Sequence, residues 1–264
     1  MKNILLLVHD DPAQESRLQV ALDVTRWLGG HLECLAVREL PMLSYGDYSA
    51  AEAMAMMDRD DSTKGSLQSV VEDRLAGEDV AWSCERSFEA RSDALNYASD
   101  FADLIVMSSR LDEVGDKLPT PERLPLRSGR PILAVPPGTK GLDLGAPVVI
   151  AWDGSRPAVE AVRAAARLSG DASEVVLIEV DPPSGALAME EAAVYLSRHG
   201  ITPHLIERDR APTVADTLLD QIRLVGAGFL AMGAYGSPPS AERIFGGVTR
   251  TMLQRSPVPL LLAH

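Results

Sequence analysis

Runs of apolar residues alternate with amphipathic segments along a chain of 264 residues. Continuous apolar runs predict strands that are buried on both faces, because strict alternation is expected only where one face meets water. The segments between these runs carry apolar residues at helical spacing, as in the alanine-rich stretch 158–168. Strands that alternate with helices indicate right-handed βαβ units and a parallel sheet.

The pattern occurs twice, and the second copy is the clearer. Its predicted strands are 148–152, 174–180, 203–206, 229–232 and 259–263. The first copy predicts strands at 4–8, 32–37, 80–84, 102–107 and 131–135. We therefore predict an α/β fold of two flavodoxin-like, Rossmann-like doubly wound domains. Each has a five-stranded parallel sheet of order 3-2-1-4-5 with helices on both faces.

The segment 136–145 is rich in proline and glycine, which predicts a linker and places the domains at residues 1–140 and 141–264. The last strand of each copy would otherwise leave an open edge. We expect 132–135 and 260–263 to pair within the chain and form a pseudo-dimer of two similar halves. We also expect two chains to form a homodimer.

Composition excludes several classes of protein. The formal net charge of −13 argues against a nucleic-acid binder or a partner of anionic membranes. No apolar run approaches the roughly 20 residues that span a bilayer, and the apolar run near Met1 is too short for a signal peptide. Cys34 and Cys84 show no metal-ligand spacing and are expected to be reduced apolar fillers. We expect a cytoplasmic protein without a metal site.

Glycines concentrate where the strand 229–232 leads into the predicted helix 248–254. They form the pattern Gly233-x-x-Gly236, followed by Gly246 and Gly247. Glycine frees backbone N–H groups to face an anion, and a helix N-terminus adds a partial positive charge. In the order 3-2-1-4-5, the first and fourth strands flank the ligand crevice. Asp153 and Gly233 should therefore meet there.

Three features together carry a family resemblance: Asp153-Gly154-Ser155, the loop from Gly233 to Gly246, and the closing segment 257–262. The second half resembles the universal stress protein family, and both halves together resemble its tandem members. Family members with the complete loop bind ATP. The resemblance therefore implies ATP, with or without Mg, as a ligand of the second half in a stress-response or sensor module.

The resemblance also implies roles for individual residues. Asp153 would face the adenine or ribose, and Val180 would offer backbone polar groups to the adenine. Gly233 and Gly236 would let the chain pass close to the ribose and phosphates. Backbone N–H groups at the helix start would bind the phosphates, together with the Thr249 hydroxyl; these residues are Gly246, Gly247, Val248 and Thr249.

This chain departs from the family pattern at the loop. Gly247 stands where the family has Ser or Thr, and a lost hydrogen bond to a charged group is worth about 1.5–3 kcal/mol. Pro238 and Pro239 lack N–H donors, and Glu242 adds a negative charge. In the first half Ser108 and Leu111 replace the glycines, so we expect no nucleotide site there and a role as partner surface for the second half.

Two other functions remain open. The chain would be an interaction module without a nucleotide if the glycines only shape a tight strand–helix connection. A hydrolase using His9 and Asp10, opposite Ser108, Ser109 and Arg110, is the third possibility. The sequence has neither a P-loop nor a GxSxG motif. We therefore predict no enzyme, and at most slow, incidental ATP hydrolysis.

The methionine-rich segment 45–76 predicts one or two further helices.

Overall fold

The computed structural model describes residues 1–8, 10–37, 67–87, 91–109, 124, 128–181, 187–234 and 247–264. Its strands are β1 Asn3–Val8, β2 His31–Val37, β3 Ala81–Ser87, β4 Leu104–Ser108, β5 Ile132–Val135, β6 Val148–Trp152, β7 Val175–Val180, β8 His204–Arg208, β9 Phe229–Gly233 and β10 Leu260–Ala263. The helices of these ranges are α1 Gln14–Leu28, α2 Leu67–Leu75, α3 Arg91–Ser99, α4 Arg156–Ala165, α5 Met189–Arg198, α6 Val214–Val225 and α7 Gly247–Arg255.

All ten strands form one sheet in the order β3-β2-β1-β4-β5-β10-β9-β6-β7-β8. Each half has the order 3-2-1-4-5, and all pairs within a half are parallel. The predicted fold class is confirmed. The division at residue 140 remains a prediction, because the sheet runs through both halves without a break.

The two halves join where β5 pairs with β10 in antiparallel register. Leu133 lies opposite Leu261, and all eight residues of the two strands are buried. The predicted pairing of the two last strands is thus confirmed. Because this pair is antiparallel, the parallel strands of one half point opposite to those of the other.

The sheet is covered on both faces. On one face a single apolar cluster spans both halves and contains residues of α1 and α4. On the other face each half has its own cluster. Local sequence sets the helix ends: Ser155 accepts a hydrogen bond from Ala158 N at the start of α4, and Thr213 accepts one from Asp216 N at the start of α6.

The edge strands extend beyond their predicted apolar runs. β3 continues to Ser87 and β8 to Arg208, although the predicted strands end at residues 84 and 206. Both strands lie at the edges of the sheet, where polar side chains meet water while backbone pairing continues. Apolar pattern alone therefore underestimates the length of an edge strand.

The remaining predictions concern the first half. Within the segment 45–76, helix α2 is confirmed, and residues 45–66 lie outside the described residues. Cys34 lies opposite Cys84 on neighbouring strands, and both thiols are free. Burial raises the pKa of Cys84 to about 11. Burial also raises the pKa of Cys34, so both thiols stay protonated, as expected of apolar fillers.

Candidate functional site

Four of the predicted site elements lie where the parallel strands of the second half reach their carboxyl ends. We call this margin of the sheet the second edge. Asp153 follows β6, Val180 ends β7 and Gly233 ends β9. β6 lies between β7 and β9, so Asp153 stands between the other two positions. Helix α7 returns from this edge toward the start of β10, and its N-terminal residue is Gly247. Gly236 and Gly246 lie outside the described residues.

Asp153 has a local role in the turn that leads into α4. Its Oδ1 accepts a hydrogen bond from the backbone N–H of Ser155 at 3.0 Å. Gly154 between them has a φ of +69°, which favours glycine. The carboxylate is exposed, and Oδ2 makes no hydrogen bond to any described residue. One oxygen thus shapes the turn, and the other remains available to a ligand.

Gly233 permits close packing of β9 on the start of α4. A Cβ at this position would lie 2.7 Å from the backbone N of Ala158 and 2.8 Å from the carbonyl carbon of Pro157. Neither backbone atom can move away as the tip of a side chain can. The glycine therefore has a packing reason that requires no ligand.

Val180 is buried, and the chain turns sharply immediately after it. Asp181 has a φ of +47°, a rare conformation for a residue with a side chain. An ion pair of 2.9 Å joins Asp181 Oδ2 to Arg210 Nε, and the Asp181 N–H donates to the carbonyl of Arg208. Sequence reasoning missed Asp181. Strained residues of this kind are frequent at ligand sites.

The start of α7 offers donors and open space. The first N–H groups of any helix have no acceptor within the helix, and they face the N-terminal end. A Cβ at Gly247 would meet no atom of the described residues within 4 Å. Val248 is half-buried, and Thr249 is buried with 4% of its surface exposed. Gly247 is therefore the most accessible of the three.

Glu179 is a second residue that sequence reasoning missed. It interrupts the apolar sequence of β7, and only 8% of its surface is exposed. It lies between Trp152 and Glu207 on the neighbouring strands. Burial raises the pKa of the Glu179 carboxyl, and the charges of Glu207, Glu190 and Asp153 raise it further. A single acid within an apolar strand was the available signal.

Trp152 connects the end of β6 to the segment just before α5. Its indole Nε1 donates a hydrogen bond of 3.1 Å to the carbonyl of Leu187, just before α5. The ring is buried, with 4% of its surface exposed. Since Trp152 and Glu179 lie opposite each other in register, their side chains are neighbours on the same face of the sheet.

The carboxyl ends of the first-half strands form the corresponding first edge. Arg17 fills it and is fully buried. Its guanidinium forms an ion pair of 2.9 Å with Asp11 and donates to Ser108 Oγ at 2.8 Å. It also donates to Gln14 Oε1 at 2.7 Å. Sequence reasoning missed this residue, which lies on the buried side of α1. Asp10 is exposed, while His9 and Arg110 lie outside the described residues.

The described residues contain neither a metal-ligand cluster nor a membrane-spanning helix. No group of three or more His, Cys, Asp or Glu side chains is placed to hold a metal ion within the described ranges. In the same part of the chain, no helix is both long and apolar enough to cross a membrane.

Comparison with known proteins gives likeness in structure only. No protein-family model matches the sequence, and no curated protein matches it. A universal stress protein from Archaeoglobus fulgidus DSM 4304 superimposes with a TM-score of 0.75, at 20% identity, over 99% of this chain and 97% of that one.

Two proteins from Pseudomonas aeruginosa also match over the whole chain, each at 15% identity. One is a candidate universal stress protein from strain UCBPP-PA14, with a TM-score of 0.59 and 93% of its own length covered. The other is a protein of unknown function from strain PAO1, with a TM-score of 0.58 and 92% covered. The chain has the fold of a universal stress protein with two such halves in tandem.

Proposed function

We propose that this chain is a tandem universal stress protein whose second half binds ATP and acts as a cytoplasmic stress-response or sensor module. The nucleotide lies across the carboxyl ends of β7, β6 and β9. Its base lies near Val180 and Asp153, and its phosphates lie near Gly233 and the start of α7. ATP favours one conformation through a difference in affinity between two states.

The observation that carries this proposal is the meeting of Asp153, Val180, Gly233 and Gly247 at one edge of the sheet. In doubly wound folds ligands bind at this edge, beside the point where the strand order reverses. The free Oδ2 of Asp153 suits a ribose hydroxyl or a base N–H, and the first turn of α7 suits a phosphate. Slow hydrolysis would be incidental.

Isothermal titration calorimetry of the full chain, stripped of nucleotide, tests the proposal with Mg-ATP. The informative variant is Gly247→Asp, because no atom of the described residues lies within 4 Å of a Cβ at this position. A carboxylate at a helix N-terminus stabilises the helix but repels phosphate. We expect ATP affinity to fall at least about tenfold while the thermal midpoint holds or rises.

Gly247→Asn is the matched control, since it has nearly the same size and no charge. It should bind ATP much as the wild type does. If the wild-type chain binds no ATP at millimolar concentration, the proposal is wrong. Equal affinity in the aspartate and asparagine variants would show that the phosphate does not bind at the start of α7.

A second function is favoured by the packing of Gly233. The backbone contacts to Pro157 and Ala158 explain this glycine without a ligand. The chain would then be an interaction module that acts through its surface. A crystal grown with ATP separates the two proposals, because the second predicts a crevice beside Asp153 that holds no nucleotide.

A further inference from the structure

The chain turns at Asp181 in a conformation that is unfavourable for a residue with a side chain. Its φ of +47° lies in the left-handed region, where the Cβ is crowded by the backbone. A residue other than glycine persists there only where its surroundings hold it. Asp181 immediately follows Val180, the last residue of β7. The contacts that hold it therefore lie next to the proposed position of the base.

Three interactions attach Asp181 to the end of β8. Its N–H donates to the carbonyl of Arg208 at 3.3 Å, which continues the parallel pairing of β7 with β8. In a regular parallel ladder the Asp181 carbonyl would accept the next bond, from the N–H of Arg210. Here the carboxylate Oδ1 accepts it at 3.3 Å, and Oδ2 forms the ion pair of 2.9 Å with Arg210 Nε. The side chain thus takes the place of the carbonyl of its own residue.

These interactions fix the direction of the Val180 carbonyl. This carbonyl and the Asp181 N–H belong to one trans peptide group, in which the two bonds point in opposite directions. Because the N–H points toward β8, the carbonyl points toward the side of β6. The last residue of β6, Trp152, lies opposite Glu179, and Asp153 follows it. The Val180 carbonyl therefore faces the proposed position of the base.

We propose that Asp181 is a positioning residue for the base: bound to Arg210, it holds the turn that directs the Val180 carbonyl toward an N–H donor of the ligand. This inference rests on the proposed ATP site. Asp181 acts through Val180 and does not touch the nucleotide itself. The ligand class that it serves is a nucleotide whose base presents an N–H donor, as adenine does with its 6-amino group.

Calorimetry with Mg-ATP on the full chain compares the wild type with Asp181→Ala and Asp181→Asn. Alanine lacks an acceptor for the Arg210 N–H and disfavours a positive φ, so the peptide group after Val180 is no longer held. We expect ATP affinity to fall about tenfold. Asparagine keeps an acceptor oxygen and tolerates a positive φ, so it should retain affinity within about threefold of the wild type.

Asp181→Gly is a second variant, because glycine takes a positive φ without strain and so preserves the turn. It lacks the acceptor for Arg210, and its affinity should still fall below that of Asp181→Asn. A further pair of variants compares Arg210→Gln with its matched control, Arg208→Gln. Both remove one positive charge from the end of β8, but only Arg210 forms the ion pair with the carboxylate. Arg210→Gln should therefore weaken ATP binding more.

The outcomes separate this inference from the proposed function. Wild-type affinity in Asp181→Ala overturns the inference and leaves the ATP site intact. Equal affinity in the glycine and asparagine variants overturns it in the same way, and so does an equal effect of the two arginine substitutions. Absence of ATP binding by the wild-type chain overturns the proposed function, and this inference with it.

Discussion

The two halves share one strand order, yet they differ in the side chains at the carboxyl ends of their strands. In the first half the buried guanidinium of Arg17 joins α1 to the end of β4 through Ser108. In the second half the end of β9 is Gly233, which lies directly against the backbone at the start of α4. The first edge contains a buried guanidinium, whereas the described residues of the second edge include no buried guanidinium.

At corresponding positions of the two halves, the side chains of the first edge are larger than those of the second edge. Ile4 pairs with Leu104 and Val148 with Phe229, so β1 corresponds to β6 and Ser108 to Gly233. Thr25 and Ser169 both donate their hydroxyl to the carbonyl one turn earlier, which aligns the two helical segments. The residue that corresponds to Arg17 is then Ala161, which is fully buried. The same fold thus carries large or small side chains at this edge, and the small ones in the second half are compatible with the proposed ATP site.

The largest effect is expected from removing the group that fills the first edge. Arg17→Leu should reduce the free energy of unfolding by about 3 kcal/mol, because it removes the ion pair with the half-exposed Asp11 and the hydrogen bonds that the guanidinium donates to Ser108 and Gln14. Urea unfolding of the full chain measures the change. Arg17→Lys, which retains the charge, should cost less. A loss below about 0.5 kcal/mol would mean that the cluster does not hold this edge together.

The second test transfers the residue of the first half into the second. Gly233→Ser should destabilise the chain by about 2 kcal/mol, because its Cβ would overlap backbone atoms of Pro157 and Ala158. Thermal unfolding followed by circular dichroism measures the change. The reverse substitution, Ser108→Gly, creates no overlap; it removes the acceptor of a hydrogen bond from Arg17 and adds backbone freedom in β4, which together should cost about 2 kcal/mol. An unchanged stability in Gly233→Ser would show that the start of α4 moves away from the added Cβ, and the packing difference between the two edges would then be wrong.

Sequence pattern predicted the fold far better than the edge. Continuous apolar runs located the strands, because strands buried on both faces are apolar throughout, and the doubly wound arrangement of five strands supplied their order. Arg17, Asp181 and Glu179 were missed, since their roles depend on contacts between elements that are distant in sequence. The Arg17 contact to Ser108, for example, joins residues that are 91 positions apart. Asp153 and Gly233 were placed at the same edge, but their local structural roles were not predicted.

A third test moves the second edge toward the family pattern. Gly247→Ser should tighten ATP binding by about tenfold, because it adds a hydroxyl donor at the start of α7. Calorimetry measures the affinity, and Gly247→Ala controls for the added Cβ. The same gain in the alanine variant would point to helix stability rather than to the hydroxyl.

The smallest effect concerns the buried acid beside the second edge. The pKa of Glu179 is raised in the folded chain, so its carboxylate destabilises the fold as the pH rises through that pKa. Glu179→Gln should therefore unfold at a higher temperature than wild type at pH 8. The gap should narrow with falling pH and close near about pH 4, where the acid is protonated in both states.

Thermal midpoints across this pH range measure the difference for both variants. Glu207→Gln, at an exposed neighbour, should show a smaller difference. A gap between Glu179→Gln and wild type that does not change with pH would show that ionisation is not its cause.

The antiparallel seam of β5 and β10 has a consequence for how the molecule can work. It makes the strands of one half run opposite to those of the other, so the edge that contains Arg17 and the edge of the proposed ATP site lie on opposite rims of the same sheet. A nucleotide at the proposed second-half site would therefore lie on the rim opposite to Arg17. Coupling between the two rims would run through the seam of β5 and β10 or through the apolar cluster that spans both halves and contains residues of α1 and α4.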